Sequence, residues 1–359
     1  MAGNNFLPWQ PHDAAAGREN KLLNGEIMPI ELEPEKIYHG VYPGIDTGGE
    51  DEITPQSLED YEQAAGRRAA WVYFSHEWSH GRSFPQTTAD WIRASGRVPF
   101  IRLMLRSDAD NPRPDPEYNL KAINNGRFDD YLRAWGRDAR SFGAQLIVEW
   151  GTEMNGDWFS WNAKWNGESK GAARFRDAYK RIVRIIRDDA GASNVTWVFH
   201  VNDEDEPQRS WNRMEDYYPG HGFVDWVGLS VYGAQEPKSG EPCAPFAPRM
   251  TRMTERLKSL APGKPIFLFE FGATVGHPDA GSDEQCRPDK WAEYALRELV
   301  INNSWPEVRG FSWWNESWPN SGQVPQTEMR VQKIPELQEV FRRILVGNSR
   351  VADHFNVQG

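Results

Sequence analysis

The sequence predicts a single-domain (β/α)8 barrel, and three observations lead there. Short apolar runs alternate with longer segments of helical period, eight such pairs follow one another, and no linker or low-complexity tract interrupts them. The 359 residues would fill roughly two domains at about 150 residues each, but a barrel of this length is commonly one domain. A doubly wound open sheet is the runner-up.

The strands are expected at 36–42 (KIYHGVY), 70–75 (AWVYFS), 98–105 (VPFIRLML) and 145–150 (QLIVEW), then at 195–201 (VTWVFHV), 224–231 (VDWVGLSV), 265–271 (PIFLFEF) and 309–314 (RGFSWW). Each is a short β-branched or aromatic run between turn signals, as buried strands are. The helices are expected at 58–68, 87–95, 128–142, 172–187, 211–218, 249–260, 290–302 and 335–345. The clearest is 172–187, where Phe175, Tyr179, Ile182, Val183 and Ile186 form one stripe opposite Arg and Asp. Residues 1–35 are then an extension packing on the barrel, 36–348 the barrel itself and 349–359 a tail.

Composition narrows the function. A hydrophobic share of 39% with 26% charged residues is that of a globular chain. Against 52 acidic residues stand 41 basic ones, a net charge of −11. That balance disfavours nucleic acid or an anionic membrane surface as partner. No apolar run reaches the ~18 residues of a membrane span. Two cysteines exclude a disulfide scaffold and a four-cysteine zinc site. Cys243 and Cys286 follow strands six and seven, neighbours on one barrel face, so a disulfide between them is expected, two free thiols being the alternative. The 17 tryptophans outnumber the 11 tyrosines, a surplus that points to a ligand-facing aromatic surface.

Barrel sites are built at the C-terminal ends of the strands. Strand four ends in Glu149-Trp-Gly-Thr-Glu153-Met-Asn-Gly-Asp-Trp-Phe-Ser-Trp161, and strand seven in Ile266-Phe-Leu-Phe-Glu270-Phe-Gly. Two carboxylates converging across a barrel mouth are the minimum equipment for glycoside hydrolysis; the bland alternative is that each pairs with an interior arginine. Pyranose rings have an apolar face that an indole can cover. Trp158 and Trp161 after strand four, Trp314 and Trp318 at strand eight and Trp78 after strand two are the candidates for sugar contact. His76, between Ser75 and Glu77, is a further substrate-binding candidate, a satisfied polar residue being the alternative. Glu149 shares parity with Glu153 and is expected to face inward, paired with Arg102 on the neighbouring strand. No His/Asp/Glu cluster has the spacing of a catalytic zinc site, the acidic loops 108–115 and 277–284 read as solvated loops with calcium binding as the alternative, and no phosphate cradle occurs, so neither metal nor cofactor is expected.

The string Thr152-Glu153-Met154-Asn155-Gly156-Asp157-Trp158-Phe159 resembles the acid/base motif of glycoside hydrolase family 26, within the clan of retaining barrel glycosidases. The resemblance continues through 224–232, 264–272 and Phe311-Ser-Trp-Trp-Asn315. It implies Glu153 as general acid/base, Glu270 as nucleophile, Tyr232 as the group orienting the nucleophile, and Trp314 as floor of the sugar site. Two positions depart from the pattern: Thr152 stands where His usually precedes the acid/base, and Glu149 where a basic residue is common.

The expectation is a retaining endo-β-glycanase, its implied substrate a β-1,4-mannan. A mixed-linkage β-glucan or a β-xylan is the alternative because of Thr152. A non-hydrolysing carbohydrate-binding barrel is the rival of another class. The partner is a polysaccharide or oligosaccharide, with no nucleic acid or membrane, and the protein is expected to be a monomer. Met1–Gln10 lacks the layout of a signal peptide, yet a polymeric substrate implies export.

Overall fold

In the computed structural model, which describes residues 30–281 and 284–356, eight parallel strands occupy the expected positions. They are β1 (Ile37–Tyr42), β2 (Trp71–Glu77), β3 (Val98–Met104), β4 (Leu146–Trp150), β5 (Val195–Asn202), β6 (Trp226–Tyr232), β7 (Ile266–Gly272) and β8 (Val308–Trp314). Their spatial order is their chain order, and β1 also pairs with β8, from Tyr38↔Gly310 to Tyr42↔Trp314. That pairing closes the barrel and rejects the open sheet. Beyond β8 a small antiparallel ribbon, β9 (Ser317–Trp318) with β10 (Thr327–Glu328), rises beside the mouth.

The expected helices surround the strands. The 172–187 stripe appears as helix Gly171–Val183, continued by a wider turn over Arg184–Asp189. The 211–218 segment forms only the single turn Met214–Tyr217, followed by Pro219. Most of the expected extension, residues 1–29, lies outside the described residues. At the other end, β11 (Val351–Ala352) pairs with the start of β1, and Phe355 stacks on Tyr38 at 4.5 Å.

Polarity changes in layers along the barrel axis. At the floor Trp71 meets Phe267 and Phe269, each 5.8 Å away, and Trp226 stacks on Phe267 at 4.2 Å. Gly40 makes room for this indole, since a Cβ there would lie 2.0 Å from the Trp71 ring. Above lie Tyr73 and Phe100, stacked at 4.1 Å. The next layer is charged: Arg102, Glu149, His200 and Glu270, all buried. A charged layer inside a barrel is costly unless its members satisfy one another, and it lies directly beneath the mouth.

Candidate active site

The two candidate catalytic carboxylates each owe their direction to a local departure from regular structure. On β7, Leu268 pairs with Leu229 and Glu270 with Ser230, which leaves Phe269 unmatched; toward β8 the same stretch is again one residue longer than its partner. This is a β-bulge, and it breaks the in–out alternation. Phe269 therefore packs inside against Phe100, 4.6 Å away, while the next residue, Glu270, also points into the barrel mouth.

Past β4 the chain turns sharply, with Gly151 at φ 72° and Glu153 at φ 47°. The left-handed region is unfavourable for a glutamate, typically by about 1–3 kcal/mol, and persists where the surroundings fix it. Here the backbone N–H of Glu153 donates to the His200 carbonyl at 2.9 Å. Asn155 then ties the turn to the loop after β5, its amide donating to the carbonyls of Asn202 and Glu204 and to Asp205, and its oxygen accepting from Asn202 N–H.

The Glu153 carboxyl accepts two hydrogen bonds, from Trp158 Nε1 at 2.6 Å and from Asn202 Nδ2 at 2.9 Å. The Trp158 ring folds back over Gly156, where a Cβ would sit 2.2 Å from the indole. Glu270 accepts from the Tyr232 hydroxyl at 2.9 Å; its other oxygen lies 3.2 Å from the Tyr73 hydroxyl and 3.7 Å from Arg102. Burial pushes the Glu270 carboxyl up to about 7; Arg102 and His200 pull it down, while the charges of Glu153 and Glu149 push it up.

Both carboxyls line one cleft of about 760 Å³, with Trp158, Phe159, Tyr232, Trp314 and Trp318. Trp314 is held flat by stacking on Tyr42 at 3.9 Å. Its Nε1 donates to Glu316 at 2.9 Å. Trp313, the outward neighbour, packs against Phe271 at 5.0 Å.

Three expected contacts lie elsewhere. On β2, Tyr73, Ser75 and Glu77 point inward, so His76 points outward, where Trp135 Nε1 donates to it at 3.3 Å. Trp78 is buried edge-on against Tyr118 and Phe128. Trp161 lies beneath Phe159 at 4.5 Å and donates to the Thr152 carbonyl. None of the three lines the cleft. Trp78 and Trp161 pack under the loops beside the site.

Other residues join the site unannounced. Asn202 is the last residue of β5, and the buried Glu316 follows Trp314 by two. Glu50, in the loop after β1, accepts from Ser75 at 3.1 Å and from Arg102 at 3.3 Å. Arg102 reaches Glu149 only to 3.9 Å, without a hydrogen bond; the nearer cation is His200, 2.8 Å away.

Among the described residues two groups of three potential metal ligands converge, Cys243–His277–Cys286 and Glu149–His200–Glu270. The two sulfurs of the first are joined as a disulfide with Cα atoms 5.1 Å apart. The second is knit together by its own ion pairing.

Residues 144–261 match the profile of Glycosyl hydrolase family 26. Over that third of the chain the sequence is similar to this family. It is 25% identical over 296 residues to Endoglucanase H of Acetivibrio thermocellus, covering 82% of this chain and 29% of that protein. It is 32% identical over 168 residues to a mannan endo-1,4-beta-mannosidase of Bacillus subtilis, covering 46% of this chain and 38% of the relative. The chain thus spans about a third of the length of these relatives. The catalytic domain of the Bacillus sp. JAMB-750 GH26 endo-beta-1,4-mannanase superposes with a TM-score of 0.61 at 17% identity, over 88% of this chain and 87% of that one. The barrel fold is therefore shared with a far-diverged sequence. Among the described residues no helix is long and apolar enough to cross a membrane.

Proposed function

We propose that this chain is a family 26 enzyme, a retaining endo-β-glycanase with β-1,4-mannan as substrate. The observation that carries the reading is the convergence of Glu153 and Glu270 on one aromatic-lined cleft. Glu270 attacks the anomeric carbon of a sugar lying on Trp314, while Glu153 protonates the departing glycosidic oxygen; water, activated by Glu153, then releases the glycosyl enzyme. The negative charge of Glu153 pushes Glu270 toward its protonated form, so attack by Glu270 requires that Glu153 hold the proton. With that proton on Glu153, Glu270 is relieved of the repulsion and keeps the charge that attack requires, aided by Arg102 and Tyr232.

The cleft wall supports a neutral glycan. Glu50, Glu204, Glu206 and Glu241 line it, and its two arginines are engaged, Arg102 with Glu50 and Arg249 with Asp203. A uronate or sulfated polymer would meet uncompensated like charge. Export follows from a polymeric substrate, and the Cys243–Cys286 disulfide suits an oxidising compartment. The first test is reducing-end release from mannan, xylan, lichenan and β-1,3-xylan. Release from mannan supports the reading, release from lichenan or a xylan alone transfers it to the alternative backbone, and binding without release overturns it.

A further inference from the structure

Beneath the two carboxyls lies a pair that the mechanism above does not use. His200, on β5, and Glu149, on β4, are buried to 1% and 0% exposure. His200 Nδ1 lies 2.8 Å from Glu149 and 3.2 Å from the Thr152 hydroxyl, and Nε2 lies 2.9 Å from the Ser230 hydroxyl. An ionised carboxylate only accepts, so Nδ1 carries a proton; the two hydroxyls can turn to accept from an imidazolium with both nitrogens protonated. Ligand atoms of Glu149, His200 and Glu270 all fall within 4.8 Å of one another.

The charges around this pair leave little freedom. Facing Glu270 are Tyr73 from β2, Arg102 from β3, Glu149 and Glu153 from β4 and its loop, His200 from β5 and Tyr232 from β6, with Glu50 behind Arg102. Facing His200 are Glu149, Thr152, Glu153, Ser230, Glu270 and the Phe269 ring at 5.9 Å. With a neutral imidazole, Arg102 would answer Glu149 and Glu270 while also pairing with Glu50, because Arg106 on the far side of Glu50 is engaged by Glu77, and the buried layer would relax by protonating a carboxyl.

We infer that the Glu149–His200 ion pair is a positioning device that keeps Glu270 ionised, its imidazolium standing in the layer below the nucleophile. Burial works against the charged imidazole, but Glu149, with Glu270 and Glu153 behind it, holds the ring above its ordinary value; burial likewise opposes ionised Glu149, and His200 first, then Arg102 and the Tyr73 hydroxyl, together outweigh it. Neither residue touches the sugar in this scheme. The inference rests on Glu270 as nucleophile.

The test is the pH profile of kcat/KM on whichever glycan the chain cleaves, whose acid limb reports ionisation of the free enzyme's nucleophile. His200→Gln removes one positive charge and should move that limb up by about one pH unit. The double variant Glu149→Gln/His200→Gln removes both charges and keeps an amide pair able to hydrogen-bond, so the limb should return toward wild type. A merely structural pair would lower kcat in both variants and leave the limb in place, which overturns the inference. The same question is open to a measurement that needs no variant and no turnover. The His200 imidazole, followed by 15N NMR in the wild type, should lose its proton only above the ordinary imidazole value of 6.5; a ring that turns neutral at or below it overturns the inference even if the glycanase reading stands. A chain that cleaves no glycan would overturn that reading while the imidazole titration still reports on the pair.

Discussion

Trp158 Nε1 donates a 2.6 Å hydrogen bond to Glu153, so the indole that lines the cleft also aims the carboxyl beside it. Replacing Trp158 with Phe keeps an aromatic face and removes the donor. A hydrogen bond to a charged group is worth about 1.5–3 kcal/mol. The expected result is a loss of about tenfold or more in kcat/KM on polysaccharide, with a smaller loss on aryl glycosides whose leaving groups need no proton. Equal losses on both substrates would assign Trp158 to sugar binding alone.

Glu270→Ala should abolish turnover, whereas Glu153→Ala should lose on the order of 10²–10⁴ in rate. Added azide should rescue the Glu153 variant and yield a β-glycosyl azide, because a small anion can enter where the general base stood. Product analysis by mass spectrometry and proton NMR checks this. An α-azide would contradict the covalent route.

Glu316 offers a stability test. Burial, reinforced by the Glu50 charge, raises its carboxyl from an ordinary 4.5 to about 8. The folded state therefore keeps a proton that the unfolded chain releases between those values. Its contribution is fully present below about pH 4.5 and is lost as pH climbs through 8. Glu316→Gln should leave Tm nearly unchanged at pH 4.5 and raise it at pH 9, by about 1–3 kcal/mol of unfolding free energy. The amide can still accept from Trp314 and donate to Tyr42. A variant less stable than wild type at pH 9 would contradict the buried, neutral carboxyl.

Cys243 and Cys286 close a loop of 43 residues that includes β7 and begins on the cleft wall. In the chain-entropy picture such a link contributes about 3–4 kcal/mol. Thiol titration of the unfolded, unreduced protein should find no reactive thiol, and reduction should lower Tm. Two reactive thiols would remove the link.

The strands were legible because buried parallel strands are written as apolar runs, and the two carboxylates because each interrupts or follows such a run. The direction of Glu270 was not. Strict alternation would send Phe269 and Glu270 to opposite faces, and only the bulge against β6 and β8 lets both point inward. Alternation did bear on His76, whose neighbours Ser75 and Glu77 take the inward positions, but a histidine beside a cleft-forming loop carries no mark of its direction. Among tryptophans the sequence could not separate Trp158, folded over Gly156, from Trp161, buried under Phe159. Glu50 and Glu316 lie in segments without periodicity, and what gives them meaning is Arg102 for the first and Tyr42 for the second, each far away in the chain.

The central claim is that Glu270 forms a covalent bond to the sugar while Glu153 serves as acid and then base. Proton NMR of the first-formed product from a β-linked substrate tests it most directly, before mutarotation mixes the anomers. The double displacement predicts the β-anomer as first product. Initial release of the α-anomer would mean a single displacement by water, and would contradict both the retaining mechanism and the role given to Glu270.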